Sequence, residues 1–243
     1  MPIDTAELER KLAEIDGKFK KSDKQSMFWK PGDTNTIRIV PNTPQFYEIL
    51  KHYQVADVGT VICPTTFNKK CPLCELRIKL YKNGTEEDRT FAKKLKSQWR
   101  FFTPVLVRGQ KDQHEKPLWW EFSRKIYEQI IMYCKNPEYG DISDPIKGVD
   151  LDVVVIQPKK EGEFKKTNLS PKRSSSALMP NQEQIDKVVK EVPDFMKDLK
   201  VMSYEEISKI VDEWIAKKVD DDHGDLTTPE EGADEVFKAI DKA

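Results

Sequence analysis

Four residues of this chain could grip one metal ion: His52, Cys63, Cys71 and Cys74, spaced His-x10-Cys-x7-Cys-Pro-x-Cys. One imidazole and three thiolates make the tetrahedral nitrogen and sulfur donor set that zinc prefers. Cys71-Pro72-Leu73-Cys74 is the strongest local element, because two thiolates separated by two residues can hold an ion from a single turn. Four protein ligands leave no open position for a catalytic water, so the spacing predicts one structural Zn2+. A redox Cys-x-x-Cys usually opens a helix after a strand in an alternating β/α chain, a pattern the sequence does not show. A zinc deaminase needs a His-x-Glu element, which His52-Tyr53-Gln54 does not supply. The remaining cysteine, Cys134, follows the apolar run Ile130-Ile131-Met132-Tyr133 and reads as a core thiol.

A second set of residues could contact a polyanion. Cations and aromatic rings interleave from Phe91 to Phe102, which includes Lys93, Lys94, Trp99 and Arg100, and again over Trp119, Trp120, Arg124 and Lys125. Lys159 to Lys166, with Phe164 among its lysines, repeats the pattern on a hairpin-like turn. Unpaired bases stack on rings while Lys and Arg neutralise the backbone, so this grammar suits a single nucleic-acid strand. Core packing on alternate strand positions accounts equally for part of the aromatic set, and Phe101 and Phe122 are assigned to the core. A basic recognition helix, or tandem zinc fingers with a helix after the knuckle, would be expected of a duplex reader; neither is read from the sequence.

The elements that must position these residues are mostly short strands. Apolar runs at Thr36–Val40, Phe46–Leu50, Gly59–Ile62, Phe101–Val107, Leu118–Phe122 and Leu151–Ile156 are separated by Pro, Gly and Asn, the signature of a small barrel or sandwich. Helices are expected at 4–15, 123–133, 182–199 and 203–218, the last opened by Ser203 with Glu206 three residues on. Residues 17–24 read as a basic connector, and Ser174-Ser175-Ser176 as a mobile loop. Val236, Phe237 and Ile240 resemble a small partner-binding patch.

Composition narrows the class. The chain has 243 residues, 37% hydrophobic and 34% charged, enough apolar content for a modest core under a heavily ionic surface. A net charge of -1 hides an asymmetry: residues 220–243 hold nine acids against two lysines, which leaves the rest at +6. A basic body with an acidic tail suggests a polyanion-binding surface and a competing acidic segment. The expectation is a protein that is neither secreted nor membrane-inserted, because no long apolar run or signal-like start is found. With no Gly-rich phosphate loop, nucleophile elbow or open metal site, it is not expected to be an enzyme.

With these residues in view, the chain resembles the single-stranded DNA-binding (helix-destabilising) proteins of T-even-like bacteriophages. The likeness is carried by Thr5-Ala6-Glu7-Leu8, Ile37-Arg38-Ile39-Val40-Pro41, the His52/Cys63/Cys71/Cys74 set, the Lys-rich Lys93–Trp99 segment, Arg124-Lys125-Ile126 and Ser203-Tyr204-Glu205-Glu206-Ile207. It implies an α+β, mainly β chain: an OB-fold barrel with a small zinc-binding subdomain, flanking helices and an acidic tail. Residues 1–26 would be an N-terminal helix and basic connector for cooperative contacts. Residues 27–219 would be the core, with the zinc subdomain at about 50–90, and residues 220–243 the acidic tail. Carried over by position, the DNA-facing residues would be Phe67, Lys93, Lys94, Trp99, Trp120, Arg124, Lys125 and Phe164, with Arg38 as a backbone contact. The implied partners are single-stranded DNA, further copies along the strand, and replication and recombination proteins that read the tail. The implied setting is phage replication, recombination and repair in the cytoplasm of the infected host. A zinc-stabilised protein-interaction adaptor without nucleic-acid binding is the alternative reading.

Overall fold

The computed structural model describes residues 27–109, 116–158, 160, 164–197 and 199–222; the expected N-terminal helix and the patch at 236–240 lie outside them. In chain order the elements are β1 (Phe28–Trp29), β2 (Thr34–Ile39), β3 (Tyr47–Val55), β4 (Gly59–Ile62), α1 (Pro72–Asn83), α2 (Glu86–Lys94), β5 (Gln98–Arg108), β6 (Leu118–Ser123), α3 (Arg124–Lys135), β7 (Val149–Ile156), β8 (Lys166–Ser175), α4 (Gln182–Lys190) and α5 (Tyr204–Asp222). The class is α+β with one mixed sheet at its centre.

β5 organises the sheet. Its first half pairs with β3 and its second half with β2 along one edge, while β6 runs along the other. Pro104 stands at the changeover, between Phe102 opposite Tyr47 and Val105 opposite Ile39, where a missing N–H interrupts neither ladder. The side chains from Phe101 to Val107 are all buried, so β5 is covered on both faces. On one face Ile37, Ile39, Phe101, Val105, Val107, Leu151 and Val153 meet Ile126 and Ile130 of α3. On the other, Leu106 packs under Ile185 and Val188 of α4, and Phe102 under Phe195. Strand order is β1-β6-β5-β2-β7-β8, with β3 and β4 as a side branch; β1 and β8 are not paired with each other, so the expected barrel is not closed.

Other differences from the sequence reading have local causes. Helices α1 and α2 fill the interval between the cysteines and β5, where no helix was expected. Pro72 at the first helical position is preorganised for a helix, and Thr85 with Asp88 closes a reciprocal capping box before α2. The knuckle therefore opens a helix after all. Ser174 and Ser175 belong to β8, an edge strand too polar to reveal itself by alternation. Helix α4 ends at Lys190 rather than 199, because Pro193 cannot donate and restricts Val192. The released segment crosses the sheet, where the Phe195 ring stacks 4.5 Å from that of Tyr47. α5 keeps its expected cap, with Ser203 and Glu206 bonded reciprocally.

Candidate metal centre and nucleic-acid interface

The four metal candidates converge from three elements. His52 lies on β3, Cys63 follows β4, Cys71 caps α1 and Cys74 sits in its first turn. Their ligand atoms all lie within 4.8 Å of one another. Cys63 Sγ is 3.5 Å from Cys74 Sγ, and His52 Nε2 is 3.5 Å from Cys71 Sγ and 3.6 Å from Cys74 Sγ. Tetrahedral ligands at about 2.3 Å from a zinc ion stand roughly 3.8 Å apart, so the set needs little movement to close on one. His52 Nδ1–H donates to the Leu95 carbonyl at 2.7 Å, which fixes the tautomer that leaves Nε2 facing the sulfurs. The Thr65 hydroxyl lies 2.9 Å from Cys63 Sγ, and both Cys71 and Cys74 stand at a helix N-terminus, where backbone N–H groups favour thiolates.

Electrostatics agrees with a bound cation. Burial disfavours the His52 imidazolium, but bonds to Cys63 and Cys71 outweigh it and raise its pKa to about 9. Donors from Cys71 and Cys74 pull the Cys63 thiol far down, while Cys63 and Cys71 push Cys74 up. Three thiols sharing one volume cannot all ionise without positive charge between them; a divalent ion removes that conflict. The cluster could hold a metal ion, and its donors are compatible with zinc.

The DNA-facing candidates divide by exposure. Lys93 and Lys94 are exposed at the end of α2, Arg124 and Lys125 at the start of α3. Trp99 is 42% exposed and Phe164 86%. Arg124 is bonded to Glu128 one turn on, at 2.8 Å. Phe67 is half-buried, packed against the cluster of Ile49, Phe102, Trp119 and Phe195. Two candidates prove interior. Trp120 packs in the main core with Trp29, their rings 5.8 Å apart, because it points to the α3 side of β6. Arg38 is wholly buried; it donates to the Asp144 carbonyl at 2.6 Å and lies 3.7 Å from Asp150, so it braces the loop before β7 and cannot reach a phosphate. Phe101 and Phe122 are buried as expected, and Cys134 packs against the core.

Compared with known protein families, residues 32–211 match the model described as gp32 DNA binding protein like. The chain belongs to this family. The matched span contains the whole His/Cys cluster and every candidate contact residue, and it covers all strands except β1. Among curated proteins no sequence matches the chain.

Within the family-matched span, two groups were missed from the sequence. Lys69 and Lys70, just before Cys71, line a cleft of about 520 Å³ with Pro64, Met202, Tyr204 and Glu206, between the metal loop and the start of α5. Lys51, Tyr53, Arg100 and Glu121 form a polar cluster on the β3–β5–β6 face. The Lys-Lys-Cys run was a usable signal for the first group; the second is brought together only by strand pairing.

Proposed function

We propose that this protein binds single-stranded DNA without strong sequence preference, with affinity drawn from phosphate neutralisation and base stacking. The observation that carries this reading is membership of a DNA-binding family over residues 32–211, in a chain whose exposed residues include Lys93, Lys94, Trp99, Lys125 and Phe164. The mixed sheet serves as an OB-fold-type platform, residues 27–219 act as the binding core with a metal subdomain at about 50–90, and one Zn2+ holds that subdomain in shape. The ion performs no chemistry in this reading. Residues 1–26 mediate contacts between copies along the strand, and residues 220–243 recruit replication, recombination and repair proteins of a phage in its bacterial host.

Titration of tryptophan fluorescence with an oligothymidine and a matched duplex, at several salt concentrations, tests this. Quenching by the single strand alone, weakening as salt rises, is the expected result. No response to either ligand, with capture of acidic proteins instead, would favour the adaptor. Lys93→Ala with Lys94→Ala should lower affinity and the salt slope while leaving metal content unchanged.

A further inference from the structure

The polar cluster on the β3–β5–β6 face holds two cations against one carboxylate. Lys51 Nζ lies 2.8 Å from Glu121 Oε2, and Arg100 Nε lies 3.2 Å from Glu121 Oε1. Tyr53 joins the set: its hydroxyl accepts from Arg100 Nε at 2.6 Å and donates to Glu121 Oε1 at 3.4 Å. The three charged side chains are 14%, 30% and 31% exposed for Lys51, Arg100 and Glu121, so the cluster is sheltered yet open to solvent.

The two cations are fixed by more than Glu121. Lys51 Nζ stands 4.9 Å from the centre of the Phe102 ring, itself buried under Phe195, and the Arg100 guanidinium stands 5.5 Å from the Tyr53 ring. Each cation therefore has a ring partner besides the carboxylate. What they frame is a site for two oxygens of one anion. A phosphodiester presents the same two acceptors and the same single charge as Glu121.

We propose that Lys51 and Arg100 form a phosphodiester subsite for single-stranded DNA, and that Glu121 occupies it in the DNA-free protein and moderates affinity by competing for it. This rests on the single-strand reading above. Glu121 is then an affinity-setting residue, and its swing away from Lys51 and Arg100 accompanies binding.

The test is fluorescence anisotropy of a labelled oligothymidine with wild-type protein, Glu121→Gln, Lys51→Gln and Arg100→Gln over a series of salt concentrations, with thermal melting of each. Glu121→Gln is expected to bind several-fold more tightly and to steepen the log–log salt slope by about 0.7, the increment for one further phosphate on a single strand. Lys51→Gln and Arg100→Gln are expected to weaken binding and flatten the slope. Wild-type affinity and slope in Glu121→Gln at unchanged melting temperature would overturn the subsite. Should Glu121→Gln fail to fold, wild-type binding by folded Lys51→Gln and Arg100→Gln would overturn it equally. Absence of any binding by the wild-type protein would instead defeat the broader reading, and the subsite with it.

Discussion

The Tyr204 hydroxyl donates a 2.7 Å hydrogen bond to Glu75, which ties the first turn of α5 to α1 one residue past Cys74. The apolar side of α5 continues that contact. Ile207 and Val211 share a buried cluster with Cys63, Cys71 and Leu73, and the Trp214 ring meets Phe91 edge-on at 5.0 Å. The helix therefore packs on the metal module rather than on the main sheet core.

Metal removal should in consequence loosen α5 together with the cysteine loops. Hydrogen exchange after chelation is expected to rise in 52–76 and 204–217 while 34–39 and 149–156 stay protected; protection of 204–217 in the chelated protein would contradict this packing. Cys71→Ser should lower the melting temperature and reproduce the same exchange pattern.

Metal binding should depend on pH through His52. The imidazolium is favoured up to about 9 in the metal-free fold, against a reference of about 6.5. Because the pKa is raised on folding, this proton stabilises the metal-free protein fully below about 6.5, and the benefit is lost as pH rises through about 9. A metal ion requires the neutral ring, so its apparent affinity should climb across the same window. Competition with a chromogenic chelator from pH 6.5 to 9 would read it, and a flat profile would contradict it.

Two tryptophans should respond oppositely to truncation. Trp120→Ala empties a core site and should cost about 3–5 kcal/mol in denaturant unfolding. Trp99→Ala removes a half-exposed ring, so it should cost about 1 kcal/mol of stability or less and about 1–3 kcal/mol of single-strand affinity. Equal stability losses in the two variants would be inconsistent with the placement of these rings.

Gly148→Ala should be destabilising although no functional group is removed. A Cβ there would stand 2.5 Å from Arg38 Nη2, 2.5 Å from the Asp144 carbonyl and 2.6 Å from that of Ile142. Two of the three obstacles are backbone, so the loop must shift and its bond from Arg38 with it. A loss of roughly 1–3 kcal/mol in chemical denaturation is expected, typical of overpacking; wild-type stability would show that the loop yields freely.

The His52/Cys63/Cys71/Cys74 set, most strand positions and the cap of α5 are legible in the amino-acid sequence. Ligand chemistry and capping act over a few neighbouring residues, so their signals are written in local spacing: Cys71-Pro72-Leu73-Cys74 and Ser203 with Glu206 are legible without a fold. Helix α1 was obscured because its apolar residues do not keep to one face, with Ile78 and Tyr81 exposed, α2 because its sequence is mostly polar, and β8 because an edge strand with Lys, Asn and Ser lacks clean alternation. Which aromatic and basic residues face solvent depends on long-range packing. Trp99 and Trp120 have similar sequence neighbourhoods, yet one lies at the exposed start of β5 and the other under α3; Arg38 and Arg100 both sit on strands, yet one is sealed beneath a loop. Those outcomes turn on which face of the sheet each residue occupies and what covers it, a property of long-range pairing that local composition does not encode.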